Sequence, residues 1–201
     1  MNESKNKDKK DFLEGKLILL GDSGVGKTNL INVTMGKKFL ENDNVTITAS
    51  FSEKTFEIDS NKYKIYFWDT AGSERYRGVT KLYYKGSDIV IFVYDITSIK
   101  SFNSLKEWIK ETKEIIENDY VCGIVGNKKD LYKEQQISDK ESKEFAQSIG
   151  MKLKIVSAKE DREGFIEFVQ DLIKEAKPIL ENKRDSILLK ESKTKKHKCK
   201  C

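Results

Sequence analysis

The segment that most constrains the fold of this chain is GDSGVGKT, which occupies residues 21 to 28. It has the form G-x-x-x-x-G-K-[ST], and it stands between a short apolar run and a helical pattern. Glycines in such a loop let backbone N–H groups close around an anion, and the following helix presents the positive end of its dipole. Lys27 can then reach terminal phosphates, while the Thr28 hydroxyl can ligate Mg²⁺. The segment therefore predicts a strand–loop–helix unit that binds a nucleoside triphosphate.

Short apolar runs alternate with amphipathic helical patterns through the rest of the chain. Four of these runs are almost wholly apolar, as in parallel strands buried on both faces, and they occupy residues 16–20, 88–95, 120–126 and 153–156. Residues 46–58 and 62–68 alternate in polarity across the polar turn DSN, which predicts an antiparallel hairpin at a sheet edge. The prediction is an α/β fold with a doubly wound, mostly parallel six-stranded sheet and an antiparallel edge strand. Ligands of such folds bind beyond the carboxyl ends of the strands.

Three later segments predict helices whose apolar side chains pack into the core. One apolar stripe covers residues 102–116 at helical spacing. Ser138 followed by Glu141 forms a capping-box pattern at the start of the second helix. A third stripe covers residues 165–173, and its helix is expected to end at Pro178 because proline cannot donate the helical hydrogen bond.

The 201 residues suit one domain with extensions at both ends. Residues 1–14 are expected to be a disordered extension, residues 15–177 to form the domain, and residues 178–201 to form a flexible basic tail. No apolar run approaches the ~18 residues that span a bilayer, and the charged N-terminus predicts no secretory signal. Three cysteines without such a signal indicate a reducing compartment.

Two further motifs follow predicted strands and indicate which base is bound. The first is NKKD at residues 127–130, in which Asp130 can accept two hydrogen bonds from the N1–H and 2-amino groups of guanine, groups that adenine lacks. The stem of Lys128 can pack along the base. The second is SAK at residues 157–159, where the N–H of Ala158 can donate to the guanine O6. Their positions after successive strands predict a guanine nucleotide.

GDSGVGKT, DTAG at residues 69–72, NKKD and SAK stand in the order that is the signature of small GTPases of the Ras superfamily. The chain resembles the Rab family most, since WDTAGSERYR (68–77), YYKG (83–86) and VYDIT (93–97) look like Rab segments. The resemblance extends over roughly residues 15–176. It implies a P-loop GTPase G domain that binds GTP or GDP together with Mg²⁺.

By resemblance, functional roles are assigned to the matching positions. The nucleotide contacts are Ser23, Gly24, Val25, Gly26, Lys27, Thr28, Asn29, Phe39, Thr46, Gly72, Asn127, Lys128, Asp130, Ser157, Ala158 and Lys159. The Mg²⁺ ligands are Thr28, Thr46 and, through water, Asp69. The catalytic positions are Lys27, Thr46, Gly72 and Ser73. The aromatic triad that Rab proteins display to effectors is matched by Phe51, Trp68 and Tyr83, for which ordinary core packing is the alternative.

Ser73 departs from the family pattern. Most Rab and Ras proteins have at this position a glutamine that orients the attacking water. A serine hydroxyl sits on a side chain two bonds shorter, and phosphoryl transfer depends almost wholly on positioning and charge stabilisation. The prediction is slow intrinsic hydrolysis with intact nucleotide binding. Thr48 also replaces the glycine usual in its segment, which favours a different backbone conformation there.

The chain ends in KCKC, which does not match a CaaX box and resembles the C-x-C terminus of Rab proteins. The resemblance implies geranylgeranylation of Cys199 and Cys201, and two lipids give stable anchoring. From residue 183 onward, basic residues outnumber acidic residues by eight to two, which favours an anionic membrane surface. The apolar residues 187–189 are expected to dock on the escort protein that presents the tail for prenylation. The expected location is the cytoplasmic face of intracellular membranes, with a cytosolic pool.

The sequence thus predicts a membrane-anchored GTP/GDP switch that regulates vesicle trafficking and recruits effectors in its GTP state. The implied partners are an exchange factor, an activating protein, effectors, an escort protein and a dissociation inhibitor. One alternative is a GTP-bound scaffold with little or no hydrolysis. A P-loop ATPase or kinase is disfavoured by NKKD and SAK. Nucleic acid is not expected as a partner, because the basic tail lacks aromatic residues that stack on bases.

Overall fold

The computed structural model describes residues 12–41, 50–70 and 81–198. Within them, six strands form one sheet, in the order β2-β3-β1-β4-β5-β6. The strands are β1 (Phe12–Leu20), β2 (Ser50–Ile58), β3 (Asn61–Asp69), β4 (Ile89–Asp95), β5 (Val121–Asn127) and β6 (Lys152–Ile155). β2 runs antiparallel to β3, and all other neighbouring strands are parallel. The predicted α/β fold with an antiparallel edge strand is confirmed.

The sheet separates two apolar layers because successive residues of each strand point to opposite faces. In β1, Leu17 and Leu19 belong to one layer, whereas Ile18 and Leu20 belong to the other. The helices that cover the two faces are α1 (Lys27–Thr34), α2 (Ile99–Ile115), α3 (Asp139–Ser148) and α4 (Arg162–Lys198). α1 and α4 pack on the first layer, and α2 and α3 pack on the second. All seven residues of β4 are buried between them.

The signals predicted for the hairpin turn and for the start of α3 are confirmed, and α2 has a similar cap. Asp59 and Ser60 both have positive φ, 48° and 62°, as a two-residue type I′ turn requires. The Ser98 hydroxyl accepts from the third N–H of α2 at 3.2 Å. The Ser138 hydroxyl accepts from the N–H of Glu141 at 3.2 Å, as the capping-box pattern predicts. These caps fix the starts of α2 and α3 beside the sheet.

β1 begins at Phe12, four residues before the predicted start at residue 16 and inside the segment expected to be disordered. Phe12 lies opposite Lys62 in β3, and Leu13, which is buried, lies opposite Tyr63. The first residues of the strand alternate between buried and exposed, so they lack the continuous apolar signal of residues 17–20. Pairing with β3, a strand of the long edge hairpin, holds these first residues in the sheet, and the sequence alone did not indicate this pairing.

The prediction that the last helix ends at Pro178 is wrong, because α4 continues through this proline to Lys198. Proline removes one helical hydrogen bond and costs about 3 kcal/mol in a helix interior. Contacts beyond the proline offset this cost: Leu180 is fully buried in the core, and Lys183 Nζ lies 2.6 Å from Asp88 Oδ2. The segment expected to be a flexible tail from residue 178 therefore starts inside a packed helix. Residues 187–189 lie on this helix and are exposed.

α4 is long but highly charged. Among the helices of the described ranges, none combines the length and apolar character needed to cross a membrane.

Candidate functional site

The loops that follow β1, β5 and β6 meet in one cleft of about 390 Å³ at the carboxyl end of the sheet. Twelve of the predicted nucleotide contacts line it: Ser23, Gly24, Gly26, Lys27, Thr28, Asn29, Phe39, Asn127, Lys128, Asp130, Ala158 and Lys159. Leu40, Glu41, Thr70 and Leu131 complete the lining. Motifs separated by more than a hundred residues in sequence are thus brought to the place where parallel α/β sheets bind ligands.

The phosphate loop requires glycine at two positions for steric reasons. Gly26 has φ +92°, and a Cβ there would overlap the side-chain amide of Asn127. A Cβ on Gly21 would overlap the carbonyl oxygen of Val93. The loop therefore lies directly against β4 and against the start of NKKD, a packing that no larger residue permits.

Lys27 begins α1 and is buried, with 5% of its surface exposed. Its Nζ donates to the carbonyl oxygens of Gly21 and Asp22, both at 2.8 Å. Burial lowers the pKa of Lys27 from 10.5 to about 8, although Asp69 and Asp22 act in the opposite direction. The ammonium is therefore held inside the loop by backbone dipoles, in a position to meet an anionic ligand.

Thr28 lines the cleft, and the buried carboxylate of Asp69 lies against its hydroxyl. The Thr28 hydroxyl donates to Asp69 Oδ2 at 2.8 Å. Asp69 ends β3, and the hydroxyl of the next residue, Thr70, donates to Leu19 O at 2.7 Å, which fixes the strand end beside β1. A hydroxyl and a carboxylate suit Mg²⁺, a hard cation that takes few protein oxygens and completes its shell with water and phosphate. The described residues contain no cluster of three or more His, Cys, Asp or Glu that forms an all-protein metal site.

Asn127 joins the phosphate loop to the SAK loop. Its Nδ2 donates to Val25 O at 2.9 Å, and its Oδ1 accepts from the N–H of Ala158 at 3.0 Å. This N–H, which was predicted to donate to guanine O6, donates to Asn127 in the structure. Asn127 is 1% exposed, so its amide holds two loops together at the bottom of the cleft.

Asp130 is oriented by Ser157, which is buried and does not line the cleft. The Ser157 hydroxyl donates to Asp130 Oδ1 at 2.5 Å and accepts from the N–H groups of Lys159 and Glu160 at 3.1 and 3.0 Å. A serine that accepts from two backbone N–H groups has its proton directed to the carboxylate. The predicted base-reading carboxylate is thus fixed in orientation by the neighbouring motif.

Two acidic residues support the site although the sequence analysis did not assign them. Asp95 lies at the end of β4, and its Oδ2 is 2.7 Å from Lys128 Nζ. The backbone of Lys128 has a positive φ of 69°. Asp22 accepts from Trp108 Nε1 at 2.9 Å and from the Ser104 hydroxyl at 2.8 Å, which attaches the phosphate loop to α2. Asp22 lies within the phosphate-loop motif, whereas Trp108 reads in sequence as a core residue of an apolar stripe. The indole N–H was the available signal, because a buried tryptophan usually finds an acceptor.

The three residues of the predicted effector triad lie side by side. The Phe51 and Trp68 rings are 5.8 Å apart, and the Trp68 and Tyr83 rings are 5.3 Å apart. Phe51 is 62% exposed, which excludes ordinary core packing for it, while Trp68 and Tyr83 are half-buried. Lys16 Nζ lies 4.7 Å from the centre of the Trp68 ring. The triad forms an apolar surface patch on the side of β3 opposite Asp69.

Five predicted residues lie outside the described ranges: Thr46, Gly72, Ser73, Cys199 and Cys201.

Comparisons with known proteins agree with this geometry. The model of the Ras family matches residues 16–177. Rab-21 from Geodia cydonium is 40% identical over 169 residues, which cover 84% of this chain and 72% of that protein. Rab-31 from Rattus norvegicus is 42% identical over 146 residues, which cover 73% of this chain and 75% of that protein. Rab-2B from Dictyostelium discoideum is 39% identical over 144 residues, which cover 72% of this chain and 71% of that protein. With its phosphate loop, guanine motifs and sheet order, the chain belongs to the Rab family of the Ras superfamily of small GTPases.

Proposed function

We propose that this GTPase is a switch of vesicle traffic that works at the cytoplasmic face of intracellular membranes and keeps a cytosolic pool. The observation that carries the guanine-nucleotide part of the proposal is the cleft that holds Lys27 and Thr28 at one end and Asp130 at the other. The similarity to Rab proteins supports the role in vesicle traffic. Such a cleft matches a ligand with phosphates at one end and guanine at the other. The surface patch of Phe51, Trp68 and Tyr83, in which Phe51 is the exposed ring, is offered to effectors.

The residues of the cleft act on the nucleotide in three ways. The backbone N–H groups of residues 23–29 and the ammonium of Lys27 bind the phosphates. Asp130 accepts from N1–H and the 2-amino group of guanine. The N–H of Ala158, which donates to Asn127 in the structure, is the donor proposed for O6. Phe39, which lines the same cleft, packs against the base.

Thr28, Thr46 and Asp69 would hold Mg²⁺, and the donor set of Thr28 and Asp69 fits that ion. When bound, Mg²⁺ neutralises charge on the β- and γ-phosphate oxygens. Switching follows from the N–H groups of Thr46 and Gly72, which contact the γ-phosphate and lose that contact on hydrolysis. Asp69 and Trp68 are neighbours on β3, so one strand connects the phosphate end of the cleft to the effector patch.

Guanine specificity provides the direct test of the cleft. In Asp130→Asn, the amide pairs with a 2-oxo group in place of the 2-amino group, so we expect preference to move from GTP to xanthosine triphosphate. Losing a charge-assisted pair of hydrogen bonds corresponds to about 10- to 100-fold weaker GTP binding. The measurement is competition against a fluorescent guanine nucleotide. Lys129→Ala, which changes the adjacent residue of NKKD, is the matched control. Unchanged GTP affinity in Asp130→Asn would remove the base assignment.

Hydrolysis is proposed to be slow because Ser73 replaces the glutamine that orients water. The same residue favours a second candidate function, a GTP-bound scaffold that recruits effectors with little or no turnover. We expect Ser73→Gln to raise single-turnover phosphate release at saturating Mg²⁺, because glutamine offers a donor and an acceptor at the required reach. An activating protein that inserts an arginine contributes about 10³ to 10⁵ in rate.

Cell extract separates the two candidates for the wild-type protein. Strong acceleration of GTP hydrolysis by the extract supports the switch. Hydrolysis that the extract does not accelerate supports the scaffold. Equal rates for wild type and Ser73→Gln would show that Ser73 does not limit turnover.

The tail and the partners complete the proposal. Geranylgeranyl groups on Cys199 and Cys201 anchor the protein, and an escort protein binds residues 187–189 during prenylation. A dissociation inhibitor maintains the cytosolic pool, and an exchange factor and an activating protein set the nucleotide state. The exposure of residues 187–189 on α4 is the structural support for the escort contact.

A further inference from the structure

The segment from Phe39 to Glu41 lines the nucleotide cleft and is held from the side of α1 by Asn29. Asn29 is buried, with 6% of its surface exposed. Its Nδ2 donates to Leu40 O at 3.0 Å, and its Oδ1 accepts from Leu40 N at 2.9 Å. Both ends of the amide are therefore bonded to the backbone of one residue, the N–H and the C=O of Leu40. Asn29, which was predicted as a nucleotide contact, lines the cleft, and its side chain fixes the segment that carries Phe39.

The same segment is held from the opposite side by the loop after β6. Glu41 Oε1 lies 3.2 Å from Lys159 Nζ, and that ammonium lies 6.0 Å from the centre of the Phe39 ring. Lys159 belongs to the SAK motif, at the base end of the cleft. Residues 39–41 therefore bridge the cleft between the helix that follows the phosphate loop and the loop that reads the base.

We propose that these contacts form a clasp, consisting of Asn29, Leu40, Glu41 and Lys159, that sets the rate at which the bound nucleotide dissociates. The proposal rests on the proposed guanine-nucleotide site. A nucleotide in the cleft is enclosed by residues 39–41, so its release requires this segment to detach from α1, from the SAK loop, or from both. Asn29 and Glu41 act as positioning residues, because each works through the segment that it holds.

The two halves of the clasp differ in burial, and this difference makes them separable. The two hydrogen bonds of Asn29 join uncharged groups, so salt does not screen them, and Asn29→Ala removes both at once. We expect dissociation to become about tenfold faster. The Glu41–Lys159 pair is exposed, with 75% and 46% of the two side chains accessible, so it is weak. We expect Glu41→Gln to speed dissociation about two- to fivefold at low salt and to lose this effect near 1 M salt.

The experiment follows the release of a fluorescent GDP analogue from the full chain after addition of excess GDP, at saturating Mg²⁺. Asn32→Ala, on the same helix, is the control for Asn29→Ala. Glu53→Gln is the control for Glu41→Gln, because it makes the same charge change in an exposed pair, Lys64–Glu53 at 3.0 Å, on the distant β2–β3 hairpin. Both controls are expected to release nucleotide at the wild-type rate. Association rates of Asn29→Ala and Glu41→Gln are expected to stay within about twofold of wild type, since the clasp closes after entry.

Release at the wild-type rate from both Asn29→Ala and Glu41→Gln would overturn the clasp. So would an effect of Glu41→Gln that persists unchanged at high salt or is shared by Glu53→Gln. Because Glu41 lies at the surface, its variant tests the proposal even where Asn29→Ala disturbs folding. Failure of the proposed function has a different result, namely no saturable binding of guanine nucleotide by the wild-type protein.

Discussion

Lys27 shows at the scale of one residue how the site is prepared for an anion. Its ammonium is buried and bonded to two loop carbonyls, and its pKa is lowered to about 8 because burial disfavours the charged form. The unfolded chain binds more protons than the folded chain between pH 8 and 10.5, so the stability of the nucleotide-free protein rises with pH across that window. The difference between the two pKa values corresponds to about 3 kcal/mol that the buried charge costs at neutral pH.

This pKa predicts that nucleotide affinity depends on pH. Phosphates bind the protonated form of Lys27 and raise its pKa in the complex. Affinity for GDP should therefore be nearly constant below about pH 7 and should fall by up to tenfold per pH unit as pH rises through about 8. The measurement is the dissociation constant of GDP between pH 6.5 and 9.5.

Lys27→Arg, which stays charged throughout this range, is the control and also accounts for titration of the base itself. We expect weaker binding in this variant but a flatter pH profile. If wild type and Lys27→Arg fall in parallel, the charge of Lys27 does not cause the pH dependence.

At the scale of the element, α4 differs most from the prediction made from sequence, because it continues past Pro178 to Lys198. Its first half packs on the sheet through a regular apolar stripe, which sequence reveals. Beyond Pro178, the helix is held by the buried side chain of Leu180 and by the Lys183–Asp88 pair. Gly15 leaves room for Leu180, because a Cβ at that position would lie 3.1 Å from the leucine side chain. Asp88 also accepts from the N–H of Lys16 at 2.7 Å, so a single buried carboxylate ties the helix to β1.

The cost of the proline predicts a stabilising substitution. Pro178→Ala restores a hydrogen bond to the carbonyl of Lys174 and removes the ring from the helix interior. Alanine also increases the freedom of the unfolded chain, which opposes part of the gain. We expect the free energy of unfolding to rise by about 2 kcal/mol, measured by urea denaturation.

Lys174→Ala, at an exposed position of the same helix, is the control and should change the free energy of unfolding by less than about 0.5 kcal/mol. A Pro178→Ala protein that is no more stable than wild type would show that α4 does not continue through residue 178 in solution.

The elements that sequence predicts well are those whose signals are local. The cap at Ser138, the turn at Asp59 and Ser60, and the apolar run of β4 each depend on a few adjacent residues, and all are found. The start of β1 and the end of α4 depend instead on partners about 50 or more residues away, such as Lys62 for Phe12 and Asp88 for Lys183. No local pattern carries that information.

The candidate site divides in the same way. The motifs identify residues that face the ligand, because phosphate and guanine demand particular groups at particular spacings. They do not reveal the residues that hold those groups in place. Asp22 and Asp95, which the sequence analysis did not assign, are bonded to partners on other elements. Ser157 was assigned only as a nucleotide contact, and its bond to Asp130 is evident only in the folded chain.

At the scale of the whole molecule, the nucleotide cleft and the C-terminal helix lie at different parts of one core. The cleft is at the carboxyl ends of the parallel strands, whereas Lys183 meets Asp88, the residue before β4 begins. From Lys183, α4 continues for fifteen residues to Lys198, which is roughly 22 Å at 1.5 Å per residue. The helix therefore separates the proposed lipid sites from the domain, so the nucleotide state and the anchor are expected to be independent of each other.

That separation predicts the outcome of removing the anchor. Replacing Cys199 and Cys201 with serine should abolish membrane sedimentation of the protein expressed in cells, because two prenyl groups supply most of the binding energy and the basic residues alone bind weakly and reversibly. GTP affinity and single-turnover hydrolysis of the double variant should equal those of wild type. The measurements are fractionation at about 0.15 M and 1 M salt, together with nucleotide binding.

The matched control replaces Lys198 and Lys200 with serine, which leaves both thiols in place, and this variant should still sediment with membranes. Sedimentation of the cysteine variant that 1 M salt removes would assign the anchoring to the basic residues. Sedimentation that resists salt would place the anchor elsewhere in the chain and contradict the proposed lipidation.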